Sequence, residues 1–291
     1  MQRVAAIGTF DGVHRGHRSV LGALVKYANE HGLQPVAITF DRHPLALIDP
    51  ERTPFELTPQ WKKKKLLSEA GAMPMIIEFD EPLRSTTARQ WMKRLHDKLG
   101  VVALVVGYDN TFGSDGINLS LDDYKKLGEE EGVVVLTAEE IKGVSSSAIR
   151  KAVASGDMPK AREMLGRPYS ITATVVTGNS LGHTIGFPTA NIDIPNGVAM
   201  PKPGVYSAVV KILETGEKFP AMVNIGRRPT VKRGDGMVME AHIINWSGDL
   251  YGKDITVRFL KRLRDEQQFE SINALKRQLA QDKEEVLNNP Q

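Results

Sequence analysis

Short apolar runs alternate with amphipathic stretches through the first half of the chain. Arg3–Ile7, Pro35–Phe40, Met75–Phe79, Val101–Val106 and Val133–Leu136 are the apolar runs, while Val20–Asn29, Gln60–Glu69 and Ala88–Leu99 show helical spacing. Strands apolar on both sides, with helices between them, predict a parallel sheet covered on both faces. Ligands of such sheets bind beyond the carboxyl ends of the strands. Residues Ser145 to Leu165 read as short helices, closed by the stop signal Gly166-Arg167-Pro168.

The pattern changes at Tyr169. Ser170–Thr177, Gly204–Leu213, Phe219–Ile225, Met237–Trp246 and Asp254–Phe259 are strand-like runs joined by turns. Strands at this spacing, with no helices between them, predict an antiparallel barrel. An amphipathic helix over Ile272–Leu287 ends the pattern. The expected fold is therefore an α/β parallel-sheet domain over residues 1–166, then an antiparallel β-barrel domain with a C-terminal helix over 167–291. A chain of 291 residues is long enough for two such units.

Composition narrows the classes. Hydrophobic residues at 41% and charged residues at 25% are globular proportions, which sets aside disordered and fibrous proteins. Up to residue 166 there are 22 basic and 22 acidic residues, and beyond it 16 and 13. Neither part is basic enough to hold nucleic acid by charge, though the second suits anionic ligands such as nucleotides. There is no cysteine, which removes disulfides, thiolate catalysis and cysteine zinc sites. Gly8 and Asp11 interrupt the opening apolar stretch, so no signal peptide is expected. No apolar run reaches the roughly 18 residues of a transmembrane helix, and the expectation is a cytoplasmic protein without a membrane partner. Lys62–Lys65 is expected to spread around a helix as a solvated face.

Candidate chemistry begins with Gly8-Thr9-Phe10-Asp11-Gly12-Val13-His14-Arg15-Gly16-His17, between the first strand and the first helix. Glycines there let backbone approach a phosphate, and a helix N-terminus presents N–H groups and a positive dipole. His14 and His17 are three apart, so they project to one side, where two imidazoles can stabilise developing negative charge. The other reading is a glycine-rich turn with two surface histidines. The spacing fits neither a P-loop nor the dinucleotide glycine pattern. Ser145-Ser146-Ser147 with Arg150 forms either a helix cap or a phosphate clamp. Asp109 and Asn110 follow the strand ending at Val106, at the predicted carboxyl edge of the sheet.

In the β-rich half, the loop from Gly178 through Gly182 and His183 to Gly186-Phe187-Pro188-Thr189-Ala190-Asn191 can fold over phosphates. Thr189 and Asn191 face the same way in an extended segment, and their oxygens are hard ligands suited to Mg²⁺ on a nucleotide. Alternatively this is a polar turn. Glu240 alternates onto one face with Val238, His242, Ile244 and Trp246. A carboxylate on an apolar face is expensive unless paired or functional, and partial burial would raise its pKa toward that of a general base. A structural ion pair with Arg227 or Arg228 is the alternative.

Together the Gly8–His17 segment, Thr39-Phe40 with His43-Pro44, Gly107–Gly113 and the serine run with Ile149-Arg150 resemble the bacterial bifunctional FAD synthetase family. Gly186–Asn191, Asn224–Thr230, Glu240, Gly248–Gly252 and Arg264-Asp265-Glu266 extend the resemblance, as riboflavin kinase, across residues 169–291. The resemblance implies a Rossmann-like nucleotidyltransferase domain before the barrel. It implies ATP phosphates on His14 and His17, Gly8, Phe10 and Gly16 lining the nucleotide pocket, and Ser147 and Arg150 clamping the triphosphate. Asp109 and Asn110 would lie by the flavin or metal. On the kinase side Gly178, Gly182, Thr189 and Asn191 would hold Mg²⁺ and ATP, and Glu240 would deprotonate the ribityl hydroxyl. The segment of Arg264 and Glu266 would close over the flavin. Riboflavin, FMN and FAD are then substrates or products. Two positions depart from the family pattern: Arg42 replaces a frequent proline, and His183 a usual arginine.

Overall fold

A computed structural model of the chain describes residues 1–107, 111–177, 185–227 and 236–288. The fold divides into two units, Met1–Ser146 and Ser147–Gln291. The first contains β1 (Arg3–Ile7), α1 (Arg15–His31), β2 (Gln34–Phe40), α2 (Leu45–Ile48), α3 (Gln60–Glu69) and β3 (Met73–Ile77). It continues with α4 (Glu81–Arg84), α5 (Ala88–Leu99), β4 (Val101–Val106), α6 (Leu121–Glu131) and β5 (Val134–Thr137). The five strands are parallel, in the order β3-β2-β1-β4-β5.

Alternation along the strands builds two cores. Ala5, Ile7, Val36 and Ile38 face Trp91, Met92 and Leu95 of α5, whereas Val4, Ala6 and Ala37 face Leu21 and Leu24 of α1 and Leu66 and Leu67 of α3. The expected doubly covered sheet is present. Strand order reverses between β1 and β4, so a crevice opens beyond their carboxyl ends, the usual ligand position in this topology.

Beyond α7 (Ser146–Ser155) and α8 (Met158–Leu165), the second unit has β6 (Ser170–Val176), β7 (Ala190–Ile192), β8 (Gly204–Ile212) and β9 (Lys218–Arg227). β10 (Met237–Ile243), β11 (Asp254–Arg264) and α9 (Ile272–Asn288) complete it. The strands close as β10-β7-β6-β11-β8-β9, antiparallel throughout. Inward positions such as Tyr206, Ala208, Val223, Ile225, Met239, Ala241, Val257 and Phe259 are buried. Outside the barrel, Val286 and Leu279 of α9 pack with Met222 and Ile244. Arg264 grips Asp282 of α9 through its Nε (3.0 and 3.1 Å) and Nη2 (2.7 Å), a buried pair that fastens the helix.

Several expectations need correction. The strand expected over Met237–Trp246 ends at Ile243, because Asn245 turns the chain at φ 58°. Trp246 therefore does not share the face of Glu240. Four elements are not foreshadowed by the sequence pattern, the short helices α2 and α4, the helix α6 and the strand β7. α6 contains Gly128, where a Cβ would sit 2.3 Å from the Val133 carbonyl oxygen, and that glycine weakens the helical pattern.

Candidate functional site

The loop after β1 is held in an uncommon shape. Phe10 and Val13, neither of them glycine, have φ of 48° and 38°. A β-branched residue there is a genuine outlier, and such strain concentrates at functional sites. The surroundings impose it. Asp11 is buried and its carboxylate accepts the N–H groups of Leu57 (3.0 and 3.1 Å) and Thr58 (3.0 Å). The Thr9 carbonyl accepts from the buried Thr39 hydroxyl at 3.0 Å and from Lys63 Nζ at 3.2 Å. Ser146 Oγ donates to the Asp11 carbonyl at 2.9 Å.

This loop delivers the two histidines together. His14 is the N-cap of α1, and its Nδ1 accepts the His17 N–H at 3.3 Å. An accepting Nδ1 makes Nε2–H the ring's donor. The imidazoles stack, with centroids 3.6 Å apart and planes 18° apart, and Phe10 meets His17 edge-on at 5.2 Å. Gly16 permits this, since a Cβ there would lie 3.2 Å from the His14 ring. Beside the loop a cavity of about 720 Å³ is lined by Gly8, Thr9, Phe40, Pro44, Phe79 and Trp91, with Thr111–Ser114 along one edge. Its size and aromatic walls suit a flat organic ligand with a polar tail. Asp109 and Asn110, placed by the sequence at this edge, lie outside the described residues. Ser147 and Arg150 open α7 in the second unit, Ser147 exposed and Arg150 half-buried.

Lys63 departs from the solvated face expected of Lys62–Lys65. Rather than all facing solvent, the lysine run sends Lys63 inward to the Thr9 carbonyl. Burial holds its pKa below the ordinary lysine value, against the opposing pull of Asp11, Glu56 and Asp41. The signal was available: Lys63 precedes the buried Leu66 and Leu67 by three and four residues, which places it on their face.

In the barrel, strand register assembles a second group. Glu240 is paired with Asn191 on one side and Asn224 on the other, so all three project from one face. It is the outer face, since Met239 and Ala241 point into the core, and Glu240 is half-buried there. Asn224 Nδ2 donates to Glu266 Oε1 at 3.4 Å. Only a glycine at 226 allows that approach, because a Cβ would lie 2.3 Å from the same oxygen. Two positions from Glu240, the buried His242 bonds through Nδ1 to the Pro188 carbonyl at 2.8 Å and meets Phe187 edge-on at 5.3 Å. It thereby holds the backbone immediately before Thr189, a role that sequence reading missed. Burial first, then Lys283, depress its pKa, with the bond to Pro188 opposing.

Thr189 is exposed and Asn191 half-buried. Among the described residues no group of three His, Asp or Glu side chains forms a metal cage. A threonine and an asparagine oxygen fit an Mg²⁺ that arrives on nucleotide phosphates, since that ion keeps few protein ligands. Gly178, Gly182, His183 and Arg228 lie outside the described residues, and Arg227 is exposed at the end of β9. Arg264 is engaged with Asp282, so of the Arg264–Glu266 segment it is Glu266 that meets Asn224.

Residues 1–150 match the FAD synthetase family and residues 165–289 the riboflavin kinase family. The chain is 38% identical to a bifunctional riboflavin kinase/FMN adenylyltransferase of Pseudomonas fluorescens, over 94% of this chain and 88% of that protein. It is 38% identical to that of Escherichia coli K12, covering 96% and 90%, and 34% identical to that of Bacillus subtilis 168, covering 98% and 91%. A crystal structure described as a macrolide-efflux protein from Streptococcus pneumoniae is similar over 99% of this chain and 95% of that one. The TM-score there is 0.90 at 29% identity. Among the described residues no helix is long and apolar enough to cross a membrane.

Proposed function

The chain belongs to the bifunctional riboflavin kinase/FMN adenylyltransferase family, and from that premise we propose how its residues divide the two reactions. The enzyme phosphorylates riboflavin to FMN with ATP and adenylylates FMN to FAD. Adenylyl transfer is assigned to residues 1–166 and the kinase to 167–291. The family matches at 1–150 and 165–289 support that division.

For adenylyl transfer the carrying observation is the stacked His14–His17 pair at the end of a strained loop beside the 720 Å³ cavity. FMN places its ring among Phe40, Phe79 and Trp91. Its phosphate oxygen attacks the α-phosphorus of ATP, and the bond to pyrophosphate breaks. That nucleophile is already anionic, so the residues position and neutralise and no base is required. His14 donates from Nε2, and His17 packed against it shares the charge on the phosphates. Gly8, Phe10 and Gly16 shape the backbone around them, with Ser147 and Arg150 as the triphosphate clamp and Asp109 and Asn110 on the flavin side.

For the kinase the carrying observation is the row Asn191–Glu240–Asn224. Glu240 accepts the proton of the riboflavin 5′-hydroxyl as that oxygen attacks the γ-phosphorus of ATP and the bond to ADP breaks. Thr189 and Asn191 would hold Mg²⁺, which when bound neutralises phosphate charge. Gly178 and Gly182 cover the phosphates, Glu266 orients the flavin with Asn224, and Arg264 anchors that segment to α9. ATP substrates and the lack of cysteine suit a cytoplasmic setting.

Glu240→Gln tests the kinase assignment. The amide keeps the shape but cannot accept a proton, so riboflavin phosphorylation should fall by about 10²–10⁴-fold. Conversion of supplied FMN to FAD should persist. A variant that binds riboflavin, melts normally and keeps its kinase rate would return Glu240 to a structural role.

A further inference from the structure

We propose that Lys63 is a positioning residue for adenylyl transfer, fixing the Thr9 peptide and setting a positive charge behind the loop that receives the phosphates. This rests on the assignment of that reaction to the first unit. Three observations carry it. Lys63 Nζ donates to the Thr9 carbonyl at 3.2 Å, although the buried Thr39 hydroxyl already donates to the same oxygen at 3.0 Å. Thr9 itself lines the cavity. The next residue, Phe10, has φ 48°.

A trans peptide carries its N–H on the side opposite its C=O. Two donors on the Thr9 oxygen therefore fix the direction of the Phe10 N–H as well as that of the carbonyl. The strained loop is held in one conformation before substrate arrives, so no reorganisation is needed during reaction. α3 and the segment leading into it are tied to the loop at two places, by Asp11 on Leu57 and Thr58 and by Lys63 on Thr9. The first tie is made by a carboxylate, and the second differs from it in carrying a positive charge.

A neutral donor would satisfy the carbonyl at less desolvation cost than a half-buried ammonium. The charge has a use here. An FMN phosphate must approach the α-phosphate of ATP, both of them anions, and a fixed cation one peptide behind the loop reduces their repulsion. The carboxylates facing Lys63 are Asp11, Glu56 and Asp41. Burial lowers the lysine pKa and the carboxylates oppose this, leaving it below the ordinary 10.5. The ammonium form is therefore lost sooner on the alkaline side than for a surface lysine.

The test uses the full-length enzyme with Lys63→Met and Lys63→Arg, assayed for FAD from supplied FMN and separately for FMN from riboflavin. With Lys63→Met, adenylylation kcat should fall roughly tenfold to a hundredfold, with KM for ATP and FMN little changed and the kinase rate unaltered. Lys63→Arg should recover most of it. The wild-type profile should lose adenylylation kcat at alkaline pH, below the titration of an ordinary lysine, and that limb should be missing in Lys63→Met. Wild-type kcat in Lys63→Met would overturn the proposal. So would a loss that arginine does not recover and that follows a lowered melting temperature, which would make Lys63 a fold contact. Loss of the kinase with adenylylation intact would instead overturn the assignment of the first unit.

Discussion

Val13 and Phe10 hold backbone angles that side chains resist, about 1–3 kcal/mol each, within a loop that also stacks two imidazoles. Such strain persists where neighbours over-determine it, here Asp11, Thr39 and Lys63. The consequence at residue scale concerns His17. Removing its ring in His17→Ala takes away a contact to the transition state, worth about 3 kcal/mol or roughly a hundredfold in rate. FAD formation from supplied FMN should drop by that factor while riboflavin is still converted to FMN. Equal losses in both assays would contradict the assignment. The histidine pair was readable because three-residue spacing at a helix start dictates proximity. The positive φ angles were not, since Phe and Val carry no mark of them. Lys63 fell between: its face follows from Leu66 and Leu67, but its partner Thr9 is 54 residues away.

At the scale of elements, strand register does the assembling. Asn191 is one of three residues in β7, a strand too short to show alternation, yet pairing places it opposite Glu240. The sequence marked the parity of β10 correctly, with Val238, Glu240 and His242 on one side. It misjudged the extent of the strand, because the turn at Asn245 depends on a φ of 58° rather than on an obvious breaker. β10 also ties the segment before Thr189 through His242, and this gives a pH dependence. The folded pKa of His242 lies below its unfolded value of 6.5. The folded state therefore binds fewer protons in that range, so this contribution is intact above pH 6.5 and lost as pH falls toward the folded value. In thermal melts from neutral to mildly acidic pH, His242→Gln should lose stability less steeply than the wild type. Parallel slopes would remove His242 as the source.

Over the whole molecule, a doubly covered parallel sheet and a closed barrel each bury their own core. Both architectures were legible from apolar spacing, helical between strands in one half and absent between them in the other. Activity was legible only from motifs, since periodicity reports burial and not chemistry. The central claim is that residues 1–166 carry one complete reaction and residues 167–291 the other. Equimolar His17→Ala and Glu240→Gln enzymes, mixed with riboflavin, ATP and Mg²⁺, test it through the products separated by chromatography. Each variant alone should make little FAD from riboflavin, His17→Ala stopping at FMN and Glu240→Gln leaving riboflavin unconsumed. The mixture should make FAD, because FMN released by one is a substrate for the other. A mixture that yields no more FAD than either variant alone, with both proteins folded, would contradict the division.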